Sequence, residues 1–302
     1  MIPGAGRPAL PPESIQAAPP QISDREFALF QDLIRRTAGI HLSDVKKALV
    51  LSRLSRRLRQ LGFATFHEYY DHLLSGDQEE CVRMIDCMTT NETRFFREED
   101  QFRFLESDVL PAWRAEAEAG GRQRHVRAWC AGCSTGEEPY SLAMVLLRAL
   151  PPGAGWVIDI LATDLSTRAL DHARQAVWPI DRAAEIPAEY LKAYMLRGTR
   201  SQEGRMKAGP KIRALVRFER LNLNDERYAV TGPFDLVLCR NVLIYFDEEL
   251  KARVIGRLLD LLGPDGYLLT GHAEGLVGLT SRLRTVRPSI FAAPAAGGGP
   301  RT

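Results

Sequence analysis

The sequence predicts an α/β fold in which an all-helical N-terminal segment precedes a doubly wound parallel sheet. Three observations predict it. Apolar residues recur at helical spacing through four successive stretches between residues 23 and 88. Beyond residue 125, short apolar runs alternate with amphipathic stretches, the pattern of strands joined by crossover helices. A glycine-containing turn directly follows the first of these runs, where a doubly wound sheet receives its ligands.

The elements follow in chain order. Residues 1–22, rich in Pro, Ala and Gly, read as a disordered tail. Ser23 and Glu26 have capping-box spacing, Phe27, Phe30 and Ile34 follow at helical intervals, and Gly39 ends the helix. Ser43 is placed to cap a second helix whose stripe is Val45, Leu49, Leu51, Leu54, Leu58 and Leu61, with Gly62 as its stop. Third and fourth helices fall near 65–75 and 78–88, completing a helical domain over 23–90. A long amphipathic helix at 98–119 leads into the second domain, 91–291. Strands are expected at 126–130, 156–162, 234–238 and 267–270, with helices through Leu150 and over 166–176. The stretch 178–218 breaks the alternation and reads as an insertion between the second and third core strands, and 292–302 reads as a second tail.

Composition bounds the function. Of 302 residues 45 % are hydrophobic and 26 % charged, an ordinary globular balance, and the formal charge of +2 argues against a strongly basic nucleic-acid binder. No apolar run reaches the ~18 residues of a membrane span, and the N-terminus has no stretch of signal-peptide length, so a cytoplasmic location without membrane insertion is expected. The five cysteines are odd in number and scattered, which suggests reduced thiols.

Candidate chemistry lies beyond the strand ends. Gly132 and Gly136 flank the first turn, although GxxxG spacing alone serves tight packing equally well. Asp164 ends the second strand, 28 to 32 residues past those glycines, where a carboxylate suits a ribose diol; Asp164 or Ser166 could equally cap the next helix. Asn222-Leu223 follows the third strand, and an Asn side chain can both donate to and accept from an adenine edge, or simply close a loop. Together the three favour an adenosyl ligand. Cys130 and Cys133 form a CxxC, but no second pair and no paired His completes a metal site. The segments TTNETRFFRE at 89–98 and CRNVLIYF at 239–246 interleave hydrogen-bonding groups with aromatics. They are unusual for plain scaffolding, though a capped linker and a core aromatic would account for them.

These two segments, with AWCAGCSTGEEPYSLAM, ILATDLS and LGPDGYLLTGHAE, resemble the chemotaxis receptor glutamate O-methyltransferase (CheR) family, over about 23–291 and in the same order. The resemblance implies an N-terminal helical domain and a Rossmann-like S-adenosylmethionine (SAM) domain carrying a small antiparallel β-subdomain insertion. It implies cofactor contacts at Asn91, Thr93, Arg97, Glu138 (rather than Glu137), Asp164, Asn222, Leu223, Arg240 and Asn241, and places Arg97 and Tyr245 nearest the reaction. The implied activity is methylation of glutamate side chains on the cytoplasmic helical region of methyl-accepting chemotaxis receptors, by a monomer that uses no metal and leaves S-adenosylhomocysteine. A glutamate with a pKa near ~4.3 is already ionised, so alignment rather than a strong base is expected to drive the transfer.

Residues 43–60 carry six basic residues against Asp44. Arg53, Arg56, Arg57 and Arg59 are therefore expected to form a basic face that docks on an acidic receptor helix, or else an ordinary solvated surface. The docking reading predicts that reversing Arg53 and Arg57 abolishes receptor methylation and spares cofactor binding. Two other readings stay open from sequence: a methyltransferase of another substrate, and a non-catalytic SAM-binding signalling module.

Overall fold

The computed structural model describes residues 21–276 and 280–293. Most of both expected tails lies outside the described residues. At their inner ends, however, Ile22 is buried in the helical core and Ala292 sits in a strand, so neither tail extends as far inward as composition suggests.

The first four helices are α1 (Asp24–Ala38), α2 (Lys47–Leu61), α3 (Phe66–Leu74) and α4 (Gln78–Met88). Ser23 and Glu26 form the full capping box, and Gly39, at φ 71°, closes α1 in the left-handed region that favours glycine. Thr65 and Glu68 repeat the capping box on α3, and Asp77 caps α4. Phe30, Ile34, Leu54, Leu58, Phe66, Tyr69 and Met84 fill one core between the four helices.

The stripe of α2 differs from the expected one. A 3-10 turn, Asp44–Lys46, precedes the helix, and Ser43 makes no side-chain capping bond. The turn rotates Val45 into solvent, and the buried positions are Val50, Leu54 and Leu58, with Leu61 partly exposed. This register also redirects two of the four arginines read as a docking face. Arg53 and Arg57 flank the buried stripe on the side of α4. Arg57 Nε donates to Glu80 Oε1 at 2.7 Å and the pair makes a second contact through Nη2. Tyr69 Oη donates to the same carboxylate at 2.7 Å, and Glu80 is only 2 % exposed. Arg53 donates to the carbonyls of Met88 and Thr89 at 2.7 and 3.1 Å, tying down the end of α4. Of the four, only Arg56 and Arg59 stand exposed on the far side of the helix.

The predicted long helix is α5 (Glu99–Phe104) and α6 (Leu110–Glu118), joined by a π turn, Leu105–Val109. Pro111 has no N–H to return to Ser107, and the wider turn absorbs that break. The α/β half then runs β1 (His125–Ala131), α7 (Glu137–Ala149), β2 (Val157–Asp164), α8 (Thr167–Gln175), β3 (Val177–Pro179), α9 (Ala188–Tyr194), β4 (Met195–Arg197), β5 (Arg205–Ala208), α10 (Pro210–Arg213), β6 (Val216–Arg220), β7 (Phe234–Cys239), α11 (Glu248–Leu261), β8 (Leu262–Thr270), β9 (Arg284–Arg287) and β10 (Ile290–Ala292).

The large sheet has the order β6-β2-β1-β7-β8-β10-β9, and the small one β3-β5-β4. From β6 to β8 the pairs are parallel, while β10 and β9 add an antiparallel edge, and the small sheet is antiparallel throughout. The small sheet ends at Ala208. Residues 216–218, read from sequence as insertion, pair instead with Ile160 to Ala162 of β2 in the large sheet. As an edge strand β6 has no fully buried residue and carries Arg217, Glu219 and Arg220, so it lacks the apolar run that marks a central strand. Strand order reverses beside β1, which pairs with β2 on one side and β7 on the other. The crevice beyond the carboxyl ends of these strands is thus the expected ligand site. No helix of the described residues is long and apolar enough to cross a membrane.

The inward turn of Arg57 has a measurable consequence. Arg57→Ala strands the buried Glu80 carboxylate and should lower unfolding free energy by roughly 3–5 kcal/mol. Arg56→Ala, one residue away and exposed, should leave it unchanged. Equilibrium denaturation of the two variants checks this, and equal midpoints would refute it.

Candidate functional site

A cavity of about 240 Å³ opens at the switch point of the large sheet. Its floor is the strand ends, its roof the linker after α4, and its side the end of α1. Asn91, Thr93, Arg97, Glu138, Asp164, Asn222, Leu223, Arg240, Asn241 and Tyr245 all line it. The ten candidate residues come from widely separated parts of the chain, and the fold brings them to one place.

Asp164 ends β2. Its carboxylate accepts from the backbone N–H of Ser134 at 2.8 Å and of Ser166 at 2.9 Å. Burial pushes its pKa up, and these backbone donors pull it back part of the way. Ser166 itself caps α8 through the Ala169 N–H at 3.2 Å, so capping does not consume Asp164. Across the first turn, Gly132 lies at φ 98°, and a Cβ there would stand 2.3 Å from Val242 Cγ2. A side chain would fill the narrow floor between β1 and β7.

The two glutamates that open α7 diverge. Glu137 turns away from the cavity, accepting from Thr135 Oγ1 at 2.6 Å and Arg182 Nη2 at 3.0 Å. Glu138 faces in and accepts from Arg240 Nη1 at 3.1 Å. Burial pushes the Glu138 carboxyl up to about 7, although Arg240 and the Cys130 thiol pull it down. The Arg240 side chain is itself buried and nearly saturated. It donates to Glu98 Oε2 from Nε at 3.4 Å and from Nη2 at 3.2 Å, to Glu138, and to the carbonyl of Arg97. Most of its donors therefore serve the wall of the site rather than its interior.

Asn222 is likewise committed to the wall. Its Nδ2 donates to the Thr37 carbonyl at the end of α1 at 2.7 Å, and its Oδ1 accepts from the Asn224 N–H at 3.0 Å. The amide bridges the two halves of the chain, so it is not the free base-reading group that its position in sequence suggests. Leu223, buried, supplies the apolar part of this wall together with Ile40, Leu221 and Val242.

The linker contributes the cation. Ser134 Oγ donates to the Asn91 carbonyl at 3.1 Å and Arg182 Nη2 to the Thr93 carbonyl at 2.7 Å, pinning the linker backbone. Arg97 Nη1 donates to the Glu92 carbonyl at 3.1 Å, and among the described residues no carboxylate lies within ion-pair distance of its guanidinium. Tyr245 ends a 3-10 turn, Leu243–Tyr245, half-buried beside it. Burial raises the Tyr245 pKa, and the charge of Arg97 offsets part of the rise. The His41 N–H donates to the Tyr245 carbonyl at 2.8 Å, so the α1–α2 connection braces the turn.

Two carboxylates escaped sequence reasoning. Glu98 joins Arg240 to Asn241, and Glu274 accepts the N–H groups of Asn241 and Ile244. Both fall inside the motifs quoted above, which is the only sequence signal they give. The CxxC cysteines are buried, and burial raises both thiols well above their ordinary pKa, the opposite of a reactive thiolate. No group of His, Cys, Asp and Glu suited to a metal ion occurs among the described residues.

The donor set suits one kind of ligand. A carboxylate at the end of β2 fits a diol, an apolar wall fits a planar base, and an unpaired guanidinium with a nearby carboxyl fits an amino-acid end. Comparison with known proteins agrees. The family model described as "CheR methyltransferase, all-alpha domain" matches residues 25–89, and "CheR methyltransferase, SAM binding domain" matches residues 91–291. Among curated proteins, Chemotaxis protein methyltransferase 2 of Pseudomonas aeruginosa is 38% identical over 88% of this chain and 92% of its own. Chemotaxis protein methyltransferase of Borreliella burgdorferi is 36% identical over 89% of this chain and 94% of its own. That of Escherichia coli is 37% identical over 90% of this chain and 91% of its own. With both family models matched in sequence order and relatives aligned over nearly their whole length, the chain belongs to the CheR family of SAM-dependent chemotaxis methyltransferases.

Proposed function

We propose that the protein is a cytoplasmic enzyme that methylates glutamate side chains on the helical cytoplasmic region of methyl-accepting chemotaxis receptors. Its products are glutamate 5-O-methyl esters and S-adenosylhomocysteine. What carries this reading is the convergence of Arg97 and Tyr245 on one cavity that no histidine lines. A site with an unpaired cation and a phenol but no histidine suits a nucleophile that is already an anion, which a glutamate is at neutral pH.

The bound cofactor supplies an electrophilic methyl group on a cationic sulfur. Asp164 holds the ribose hydroxyls, its carboxylate aimed by the Ser134 and Ser166 N–H groups. The wall around Leu223 receives the base. Arg97 takes a carboxylate, Glu138 in its ionised form faces the cationic end, and Asn91 and Thr93 complete the polar roof. Arg240 and Asn241 act by holding Glu98, Glu138 and the linker in place. Tyr245 orients the attacking carboxylate oxygen. With the linker roofing the cavity, alignment and partial desolvation supply the acceleration.

Incubation with methyl-tritiated cofactor and a receptor cytoplasmic fragment from the same organism tests the chemistry. A base-labile label on the receptor is expected; a base-stable label, or none, would exclude glutamate ester formation. In the same assay Tyr245→Phe should lower kcat about 10-fold or more, since an oriented nucleophile is lost. Full kcat would remove the orienting role.

Burial pushes the Glu138 carboxyl up to about 7, so its charged fraction grows from a minority to a majority as pH rises through that value. Affinity for the cationic cofactor should therefore rise between about pH 6 and pH 8. Glu138→Gln should abolish the slope, and a flat wild-type profile by calorimetry would refute the contact.

Docking falls to the exposed Arg56 and Arg59. Reversing both to Glu should abolish receptor methylation while the cofactor Kd stays unchanged. Arg53 no longer suits this test, because it anchors the roof of the cavity through Met88 and Thr89. A double reversal that keeps full receptor methylation would place docking elsewhere.

A further inference from the structure

The GHAE segment, 271–274, follows β8 and lines no part of the cavity, yet it is wired to the turn that does. The Glu274 carboxylate is buried, the residue being 5 % exposed. Its Oε2 accepts from the N–H of Asn241 at 2.7 Å and of Gly271 at 2.7 Å, and its Oε1 from the N–H of Ile244 at 3.1 Å. These are charge-assisted bonds to backbone groups that neither strand nor helix satisfies. Asn241 sits at φ 59°, in the left-handed region that Asn tolerates better than most residues, and the Glu274 bond is made to that residue's own N–H. The loop behind the carboxylate is closed in turn: Glu274 N–H donates to the Gly271 carbonyl and Thr270 Oγ1 to the Glu274 carbonyl, both at 2.9 Å.

We propose that Glu274 is a positioning residue for methyl transfer. It clamps the backbone of the 241–245 turn and so sets where Tyr245 stands over the cavity. The inference rests on the orienting role given to Tyr245 above. Gly271 belongs to the same device. A Cβ there would lie 2.5 Å from Asn241 Nδ2, 2.8 Å from Glu274 Oε2 and 2.9 Å from the Asn241 nitrogen, wedging the clamp open without removing a charge.

Glu274→Gln keeps the size of the side chain but turns an amide N–H toward a backbone N–H. Because a displacement of about 1 Å can cost up to 100-fold, kcat is expected to fall about 10- to 100-fold while the cofactor Kd shifts less than about threefold. The same substitution in a Tyr245→Phe background is expected to cost little more, since the group it positions is already gone. Equal fold losses in the two backgrounds, unchanged kcat, or a loss of cofactor affinity matching the loss of rate would each overturn the proposal. Should Glu274→Gln fail to fold by thermal melt, Gly271→Ala carries the same four-way comparison, with the same expected and overturning results. Full kcat in Tyr245→Phe alone would instead remove the tyrosine's role, and that result is read in the single variant, independently of Glu274.

Discussion

The Arg240 guanidinium, buried at the end of β7, is the charge around which the cavity is assembled. It lies 5.4 Å from the centroid of the Phe102 ring and holds Glu98 from the linker, Glu138 from the start of α7 and the main-chain carbonyl of Arg97. Two segments far apart in sequence, residues 97–98 and the start of α7, thus meet on one cation carried by a third. Two carboxylates share it, so ionising both leaves the cluster net negative in a desolvated place. Burial, with a further push from Glu98, accounts for the unusual titration of Glu138. A cluster of this kind contributes little net stability, but deleting one member leaves the others unpaired and costs several kcal/mol. Its value lies in geometry: it fixes the linker backbone so that Arg97 points into the cavity.

The helical bundle is part of the site rather than an appendage to it. Asn222 and Asn224 donate to carbonyls at the C-terminal end of α1, and Arg35 pairs with Asp247 at 2.8 Å. The two asparagine contacts satisfy helix-end carbonyls that α1 cannot satisfy internally, and they do so with side chains from the α/β half. Thr167 likewise donates from N–H and Oγ1 to Asp86 of α4 at 2.9 and 2.5 Å. The roof is made of chain that belongs to both halves.

Most of the fold was legible because its signals are local. The Ser23–Glu26 box, the Gly39 and Gly62 stops and the apolar runs of β1, β2 and β7 each lie within a few residues of what they determine. The positions of the ten cofactor and catalytic candidates were legible through motif order, since all ten line the cavity, whereas none of the four docking arginines does. What each side chain does there was less so. Whether Arg57 meets solvent or Glu80, 23 residues on, depends on how α2 and α4 are set against each other. The same holds for Asn222 and Thr37, 185 residues apart. Charge counting sees six cations on one segment, but not the Glu80 carboxylate that neutralises Arg57 or the carbonyls that hold Arg53. The bounds of the edge strand β6 were hidden for a different reason: only partly buried, it carries Arg217, Glu219 and Arg220 instead of an apolar run.

The double attachment of α2 has a thermodynamic corollary. One flank of this helix offers Arg56 and Arg59 to solvent, and the other grips, through Arg53, the carbonyls from which the cavity roof hangs. A rigid rod gripped on one side and loaded on the other passes its displacement on. Any partner seated on the outer flank that shifts the rod alters the free energy of the chamber beneath. By reciprocity the chamber's occupant must alter, by an equal factor, the hold on that partner.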